Sequence, residues 1–159
     1  TTLSMEAYAD STFGGEHADK AKSQTGYLIF FGGGPIDWSS HLQSVIALSS
    51  AEAEQVSAFS TSRSIVHFRQ FLEELGQKQL GPTSIREDNT ACIAQSKNPV
   101  DPNRVRHVLI QYHYLRDLHE QGIVRLDYIA TTDQVADVLT KPLIPQLFKS
   151  LIPFLVSPT

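Results

Sequence analysis

ALSSAEAEQVSAF, residues 47–59, opens a run with helical spacing and sets Glu52 and Glu54 two positions apart. At about 100° per residue, such neighbours point in nearly opposite directions, so the two acids have different tasks. Counted from position 54, the series 54, 58, 61, 65, 68, 72, 75 reads Glu, Ala, Thr, Ile, Phe, Leu, Leu. Its steps alternate four and three, which keeps every member on one helix face. The apolar C-terminal half marks that face as buried. Glu54 continues it at the N-terminal end, where a charge is costly unless a cation meets it. Glu52 belongs instead to Ser49-x-x-Glu52, the pattern of a capping box. Glu52 is therefore read as a cap, and Glu54 as the residue that needs a function, with a local salt bridge as the alternative.

The flanking sequence places this helix, expected over 50–75 and closed by Gly76, in an alternating α/β chain. MEAYAD (5–10) alternates as a short strand and ends in acid. TGYLIFFGGGPIDWSS (25–40) is a β-hairpin about a glycine turn, and its first run is apolar enough for a central strand. PTSIRED (82–88) reads as a strand, NTACIAQS (89–96) as a short helix and KNPVDPN (97–103) as a loop. RHVLIQYHYLRDLHEQG (106–122) reads as a helix and IVRLDYI (123–129) as a strand. TTDQVADVLTK (131–141) reads as a last helix, opened by a Thr131-x-x-Gln134 box and stopped by Pro142. The order predicts an α/β fold with a mixed sheet and helices on its faces. LIPQLFKSLIPFLV (143–156) is apolar and interrupted by prolines, as in a segment that packs on this domain or a neighbouring one.

The 159 residues suit one compact domain, and 41% apolar against 19% charged residues is a globular composition. The single cysteine, Cys92, has no partner for an internal disulfide and points to a reducing, intracellular compartment. No apolar run is long enough to span a membrane. The opening TTLSMEAYAD lacks the basic start and apolar core of a signal peptide, and also an initiator methionine, as in a fragment or processed piece. A net charge of -4 argues against gripping nucleic acid by bulk electrostatics and leaves room for a small local contact surface.

Three further acids stand at element ends: Asp10 and Asp88 after strands, and Asp137 in the first turns of the last expected helix. With Glu54 they can meet at one sheet edge, where α/β folds place ligand sites. Bunched carboxylates raise each other's pKa unless cations hold them. Magnesium takes such hard oxygen ligands, and two ions about 4 Å apart serve in-line phosphoryl displacement. Spacing alone carries this weakly, because acids at strand ends are also ordinary turn residues.

The stretches YAD (8–10), KSQTGYLIFFGGGPIDWSS (22–40), ALSSAEAE (47–54), EDNTACIAQSKNP (87–99), RVRHVLIQYHYLRD (104–117) and QVADVLTKPL (134–143) follow one another in a known order. Together they are highly specific. The chain resembles the ribonuclease H domain at the C-terminus of copia-type LTR retrotransposon polyproteins. The resemblance implies a ribonuclease H-like fold, a mixed five-stranded sheet with helices on both faces, over residues 1–143, with 144–159 as a polyprotein tail. It implies an endonuclease that cuts the RNA strand of RNA–DNA hybrids during reverse transcription, leaving a 5′-phosphate and a 3′-hydroxyl. It implies two Mg2+ ions, with Mn2+ as a substitute, held by Asp10, Glu54, Asp88 and Asp137. Asp10 and Asp88 would bridge both ions, Glu54 would also contact the RNA 2′-hydroxyl, and Asp137 would hold one ion loosely. Its expected partners are the hybrid and an upstream reverse transcriptase domain, with no membrane. The setting would be cytoplasmic, in a virus-like particle, or nuclear.

Specificity would rest on shape and the 2′-hydroxyl. Asn89 is a candidate minor-groove donor, with a helix N-cap as the competing reading. Arg104 and Arg106 are candidate phosphate contacts, against a solvated basic turn. Lys20 and Lys22 read the same way, more weakly. His107 is expected to pack at a helix start, and Trp38 and the Phe30–Phe31 pair to join the core. The chain departs from the family pattern at Thr12, Phe13, Gln55, Glu87 and Leu109, where aspartate, tryptophan, tyrosine, cysteine and aspartate are usual. YIATTDQVAD also lacks the histidine loop of cellular ribonucleases H, so slow or partner-dependent turnover is expected. The competing functional reading is a catalytically silent, divergent domain kept for folding or partner binding. An integrase-like nuclease is a weaker third.

Overall fold

Alternating apolar residues in the first forty positions build an antiparallel meander. In the computed structural model, which describes residues 3–14, 21–98 and 106–156 apart from the side chains of residues 106 and 107, β1 is Met5–Thr12, β2 Gln24–Phe31 and β3 Gly34–Leu42. Gly32 and Gly33 make the β2–β3 turn with φ of 63° and 89°. Two positive φ values in a two-residue turn match the twist of the paired strands, and glycine adopts them without Cβ strain. The chain continues through α1 (Ser50–Glu74), β4 (Thr83–Glu87), α2 (Thr90–Lys97), α3 (Arg106–Glu120) and β5 (Val124–Tyr128). Two short 3-10 turns, Thr131–Asp133 and Val135–Leu139, and then α4 (Pro145–Leu155) complete it.

The five strands form one mixed sheet in the order β3-β2-β1-β4-β5. β1 is antiparallel to β2 and parallel to β4, and β4 is parallel to β5. Alternation sends Ala7, Ala9, Tyr27 and Ile29 to one face, where they pack with Ile65 and Leu72 of α1, Cys92 of α2 and Leu115 and Leu118 of α3. Leu28 faces the other side, with Tyr8 and Phe30, and meets Val135 and Leu151. Helices therefore cover both faces, as the sequence predicts.

Several details differ from the sequence reading. The expected helix over 131–141 is two 3-10 turns. Its proposed Thr131 box is absent: Gln134 caps the second turn instead, its Oε1 accepting from the Ala136 N–H at 3.3 Å. The Gln134 Nε2 donates to the carbonyls of Ala9 (2.9 Å) and Arg86 (3.2 Å), so the segment is tied to β1 and β4 and cannot wind as a free helix. Trp38 is 62% exposed rather than core, because β3 is the sheet edge and its residues are half-buried or exposed. Leu75, the last member of the helical stripe, is the C-cap and is exposed, since the chain turns away at Gly76. The 143–156 segment packs on this domain, through Leu151 of α4. No helix among the described residues is long and apolar enough to cross a membrane.

The 3-10 segment presses directly on β2. A Cβ placed on Gly26 would lie 2.6 Å from Thr140 Cγ2 and 2.9 Å from Leu139 Cβ. Gly26→Ala is therefore expected to destabilise the chain by about 1–3 kcal/mol in urea unfolding, as overpacking does. Gly81→Ala, with open space around it, should change stability by less than about 0.5 kcal/mol. Equal effects from the two would contradict the packing described.

Candidate active site

Parallel pairing of β1 with β4 sets the site. The register Tyr8↔Arg86, continued by two residues, brings Asp10 level with Asp88, which directly follows β4. Glu54 reaches the same edge from the first turns of α1. Ser49 caps that helix, its hydroxyl accepting from the Glu52 N–H at 3.2 Å, which is the serine half of the expected box. The Ser57 hydroxyl then donates to the carbonyl of Asp10 (2.8 Å) and also approaches that of Gly26 (3.3 Å), fastening α1 to β1 and β2. One carboxylate oxygen from each of Asp10, Glu54 and Asp88 lies within 4.8 Å of the others.

Asp137 enters from the 3-10 segment, beside Asp10. The Thr140 hydroxyl donates to Asp10 Oδ2. Lys141 Nζ stands 2.8 Å from Asp137 Oδ1 and 3.8 Å from Asp10 Oδ2. The shorter contact is an ion pair without hydrogen-bond alignment, since Asp137 Oδ1 has no aligned donor among the described residues. Two further ties position the segment: the Thr12 hydroxyl donates to Thr140 O at 2.8 Å, and the Ser40 hydroxyl to Leu139 O at 2.6 Å.

Burial and mutual repulsion shape the electrostatics. Burial lifts the Asp10 pKa to about 7; the Thr140 hydrogen bond and Lys141 oppose the rise and Asp137 adds to it. Glu54 is pushed up to about 11 by burial, then by Glu87, Asp10 and Asp88. Glu87, wholly buried, is also raised well above the carboxylate range by burial, against the pull of the Asn89 N–H that it accepts at 2.9 Å. Burial works against the Lys141 ammonium, but its contact with Asp137 and the charge of Asp10 outweigh this and hold its pKa above the lysine value.

The four acids named from the sequence thus meet at one edge: Asp10, Glu54 and Asp88 cluster, and Asp137 adjoins Asp10. Their donors are all hard oxygens, and Glu54 Oε2 is buried with no hydrogen-bond partner among the described residues. That donor set fits a divalent cation of the magnesium type. Asn89 is the N-cap of α2, its Oδ1 accepting from the Cys92 N–H at 3.0 Å. Arg104 and Lys20 lie outside the described residues. Arg106 opens α3, but its side chain and that of His107 are likewise outside them. Lys22 is exposed. The sequence reading missed Lys141 and Glu87 as members of the site. Both had a signal: Lys141 is one turn past Asp137 within ADVLTKPL, and Glu87 is the residue before Asp88.

Fold and acidic edge together define a ribonuclease H-like domain, and the comparisons agree. No family model matches the sequence. The Retrovirus-related Pol polyprotein from transposon RE1 of Arabidopsis thaliana is 38% identical over 149 residues, 94% of this chain, which spans 10% of that polyprotein. RNase H1 from the halophilic archaeon Halobacterium salinarum superposes with a TM-score of 0.59 at 15% identity, covering 86% of this chain and 93% of that one. LC11-RNase H1, solved in complex with an RNA/DNA hybrid, gives 0.58 at 14% identity, covering 86% and 93%. The chain thus matches a stretch of a transposon Pol polyprotein and carries the ribonuclease H-like fold.

The raised carboxylates have a consequence for stability. Between 3.8, the ordinary value, and about 7 for Asp10, and between 4.5 and about 11 for Glu54, the folded chain holds more protons than the unfolded one. Stability without metal therefore falls as pH rises through this window. In EDTA the melting temperature is expected to be lower at about pH 8 than at about pH 5.5, and Mn2+ should raise it more at the higher pH. A melting temperature that is flat or rises with pH in EDTA would contradict the clustering.

Proposed function

We propose that this domain is a divalent-metal-dependent endonuclease that hydrolyses the RNA strand of RNA–DNA hybrids during reverse transcription. The observation that carries the reading is the convergence of Asp10, Glu54 and Asp88 within 4.8 Å, with Asp137 joined to Asp10 through the Lys141 ammonium. The fold shared with solved ribonucleases H, one of them bound to a hybrid, supports it.

Asp10, Glu54, Asp88 and Asp137 would hold two Mg2+ ions. The ions would supply charge stabilisation for an in-line displacement at phosphorus. The protein's own part is positional. Glu54, fixed by the Ser57 tie of α1, would also accept from the 2′-hydroxyl that distinguishes RNA from DNA. Asp88, half-exposed at the strand end, would present the site to the substrate. The Asn89 cap engages only Oδ1, and its amide nitrogen would donate to a minor-groove acceptor. Arg104 and Arg106 would contact phosphates. With a net charge of -4, such contacts are few and affinity depends on local fit. An upstream reverse transcriptase domain of the same polyprotein would be the working partner, in a cytoplasmic particle or the nucleus.

A second reading is a catalytically silent domain of the same fold. It is favoured by the Lys141 ammonium lying between Asp10 and Asp137, and by the additional buried carboxyl of Glu87.

A labelled hybrid incubated with the chain in Mg2+ or Mn2+ separates the two, with single-stranded RNA and duplex DNA as controls. Cleavage confined to the hybrid is expected. Asp88→Asn and Glu54→Gln should reduce it by more than about a hundredfold, since even an outer partner of a metal is commonly worth up to that factor. No cleavage by folded wild-type chain in either metal would overturn the enzymatic reading and leave the silent one.

A further inference from the structure

The residue that the functional reading leaves unexplained is Lys141. It is one helical-type turn from Asp137 and is only 35% exposed. Its ammonium lies 2.8 Å from one candidate metal ligand and 3.8 Å from another. A surface lysine has no reason to leave water for such a place unless the field there demands a cation. The demand is visible in the neighbours: Asp10 and Asp137 are both buried, and Asp137 Oδ1 has no aligned hydrogen-bond donor among the described residues. The lysine is also held in position. Its backbone N–H donates to Asp137 O at 3.2 Å, and Pro142 follows it, which fixes the direction of the chain. The stem is long, flexible and partly exposed, so the ammonium has an exit to solvent.

We propose that the Lys141 ammonium is a resident counter-cation of the acidic edge: it occupies the Asp10–Asp137 side when divalent ions are scarce, and a divalent ion binding on that side displaces it. The inference rests on the two-ion reading above and adds an order of loading. The Glu54–Asp88 side, which Lys141 does not touch, takes its ion first. The Asp10–Asp137 side takes its ion second and more weakly, because that ion must displace the lysine. Lys141 stays charged in both arrangements, so the exchange is one cation for another and not a protonation event. It acts as a positioning residue that tunes the occupancy of one site.

Calorimetric titration of the chain with MnCl2 tests this. Wild type is expected to bind one Mn2+ more tightly than a second. Lys141→Met keeps the stem and removes the charge, and should tighten the second ion roughly tenfold, the scale of one contact to a charged group, while leaving the first within about twofold. Asp88→Asn should weaken the first ion in either background. Unchanged or weaker binding of the second ion to folded Lys141→Met would overturn the proposal while leaving the two-ion reading intact. No uptake of Mn2+ by wild type would overturn both. If Lys141→Met fails to fold, ammonium NMR of lysine-labelled wild type decides: a signal protected from exchange without Mg2+ and lost at saturation supports displacement, and a signal that persists refutes it.

Discussion

Carboxylates forced together out of water repel, and the site of this domain is organised around that repulsion. Asp10, Glu54, Glu87 and Asp137 are all buried, with half-buried Asp88 beside them. Burial first, and then neighbouring carboxylates, raise the pKa of Asp10, Glu54 and Glu87. The remainder of the fold holds these groups in place against a field that pushes them apart. It does so with hydrogen bonds to backbone, which do not depend on the charge state of the acids: Ser57 to Asp10 O, Gln134 to Ala9 O and Arg86 O, and Thr12 to Thr140 O.

Those ties explain why the sheet is mixed where it is. Parallel pairing of β1 and β4 puts two strand ends, and so Asp10 and Asp88, at the same edge. Antiparallel pairing of β1 and β2 sets Asp10 opposite Gly26. The missing side chain there admits Thr140 and Leu139, and with them Asp137. One face of the sheet is thus spent on the large apolar cluster beneath α1 and α3, and the other on the smaller cluster beneath the 3-10 segment and α4. Each cluster anchors one side of the site: α1 carries Glu54, and the 3-10 segment carries Asp137.

Much of this was legible in the sequence, and for a physical reason. The helical count on ALSSAEAE separated Glu54 from Glu52 because the period of a helix is fixed, and the strand ends were marked by acids after apolar runs. What escaped depended on tertiary contact. TTDQVADVLTK has the pattern of a helix, but the side chain of Gln134 is drawn to two strands and the segment stays in 3-10 turns. Trp38 is large and apolar, yet sits on an edge strand that lacks full cover. Lys141 reads as a surface lysine: its spacing from Asp137 hints at that one contact, but only the fold brings Asp10 to it.

Two polar residues that adjoin the ligands in the chain meet at Cys92. Gln55, which follows Glu54, and Glu87, which precedes Asp88, are both wholly buried. Gln55 Oε1 accepts from the Cys92 thiol at 3.5 Å, and the charges of Glu87 and Glu54 both act to raise that thiol's pKa, after burial. A second buried glutamate behind Glu54 would be ruinous if ionised. Burial, and then the charges of Asp88 and Asp10, instead hold its pKa well above the carboxylate range, against the pull of the Asn89 N–H. The Lys141 ammonium faces the same edge, beside Asp137 and Asp10. Any cation that enters meets this crowded set of acids, which the ties of Ser57 and Gln134 to strand carbonyls hold in place.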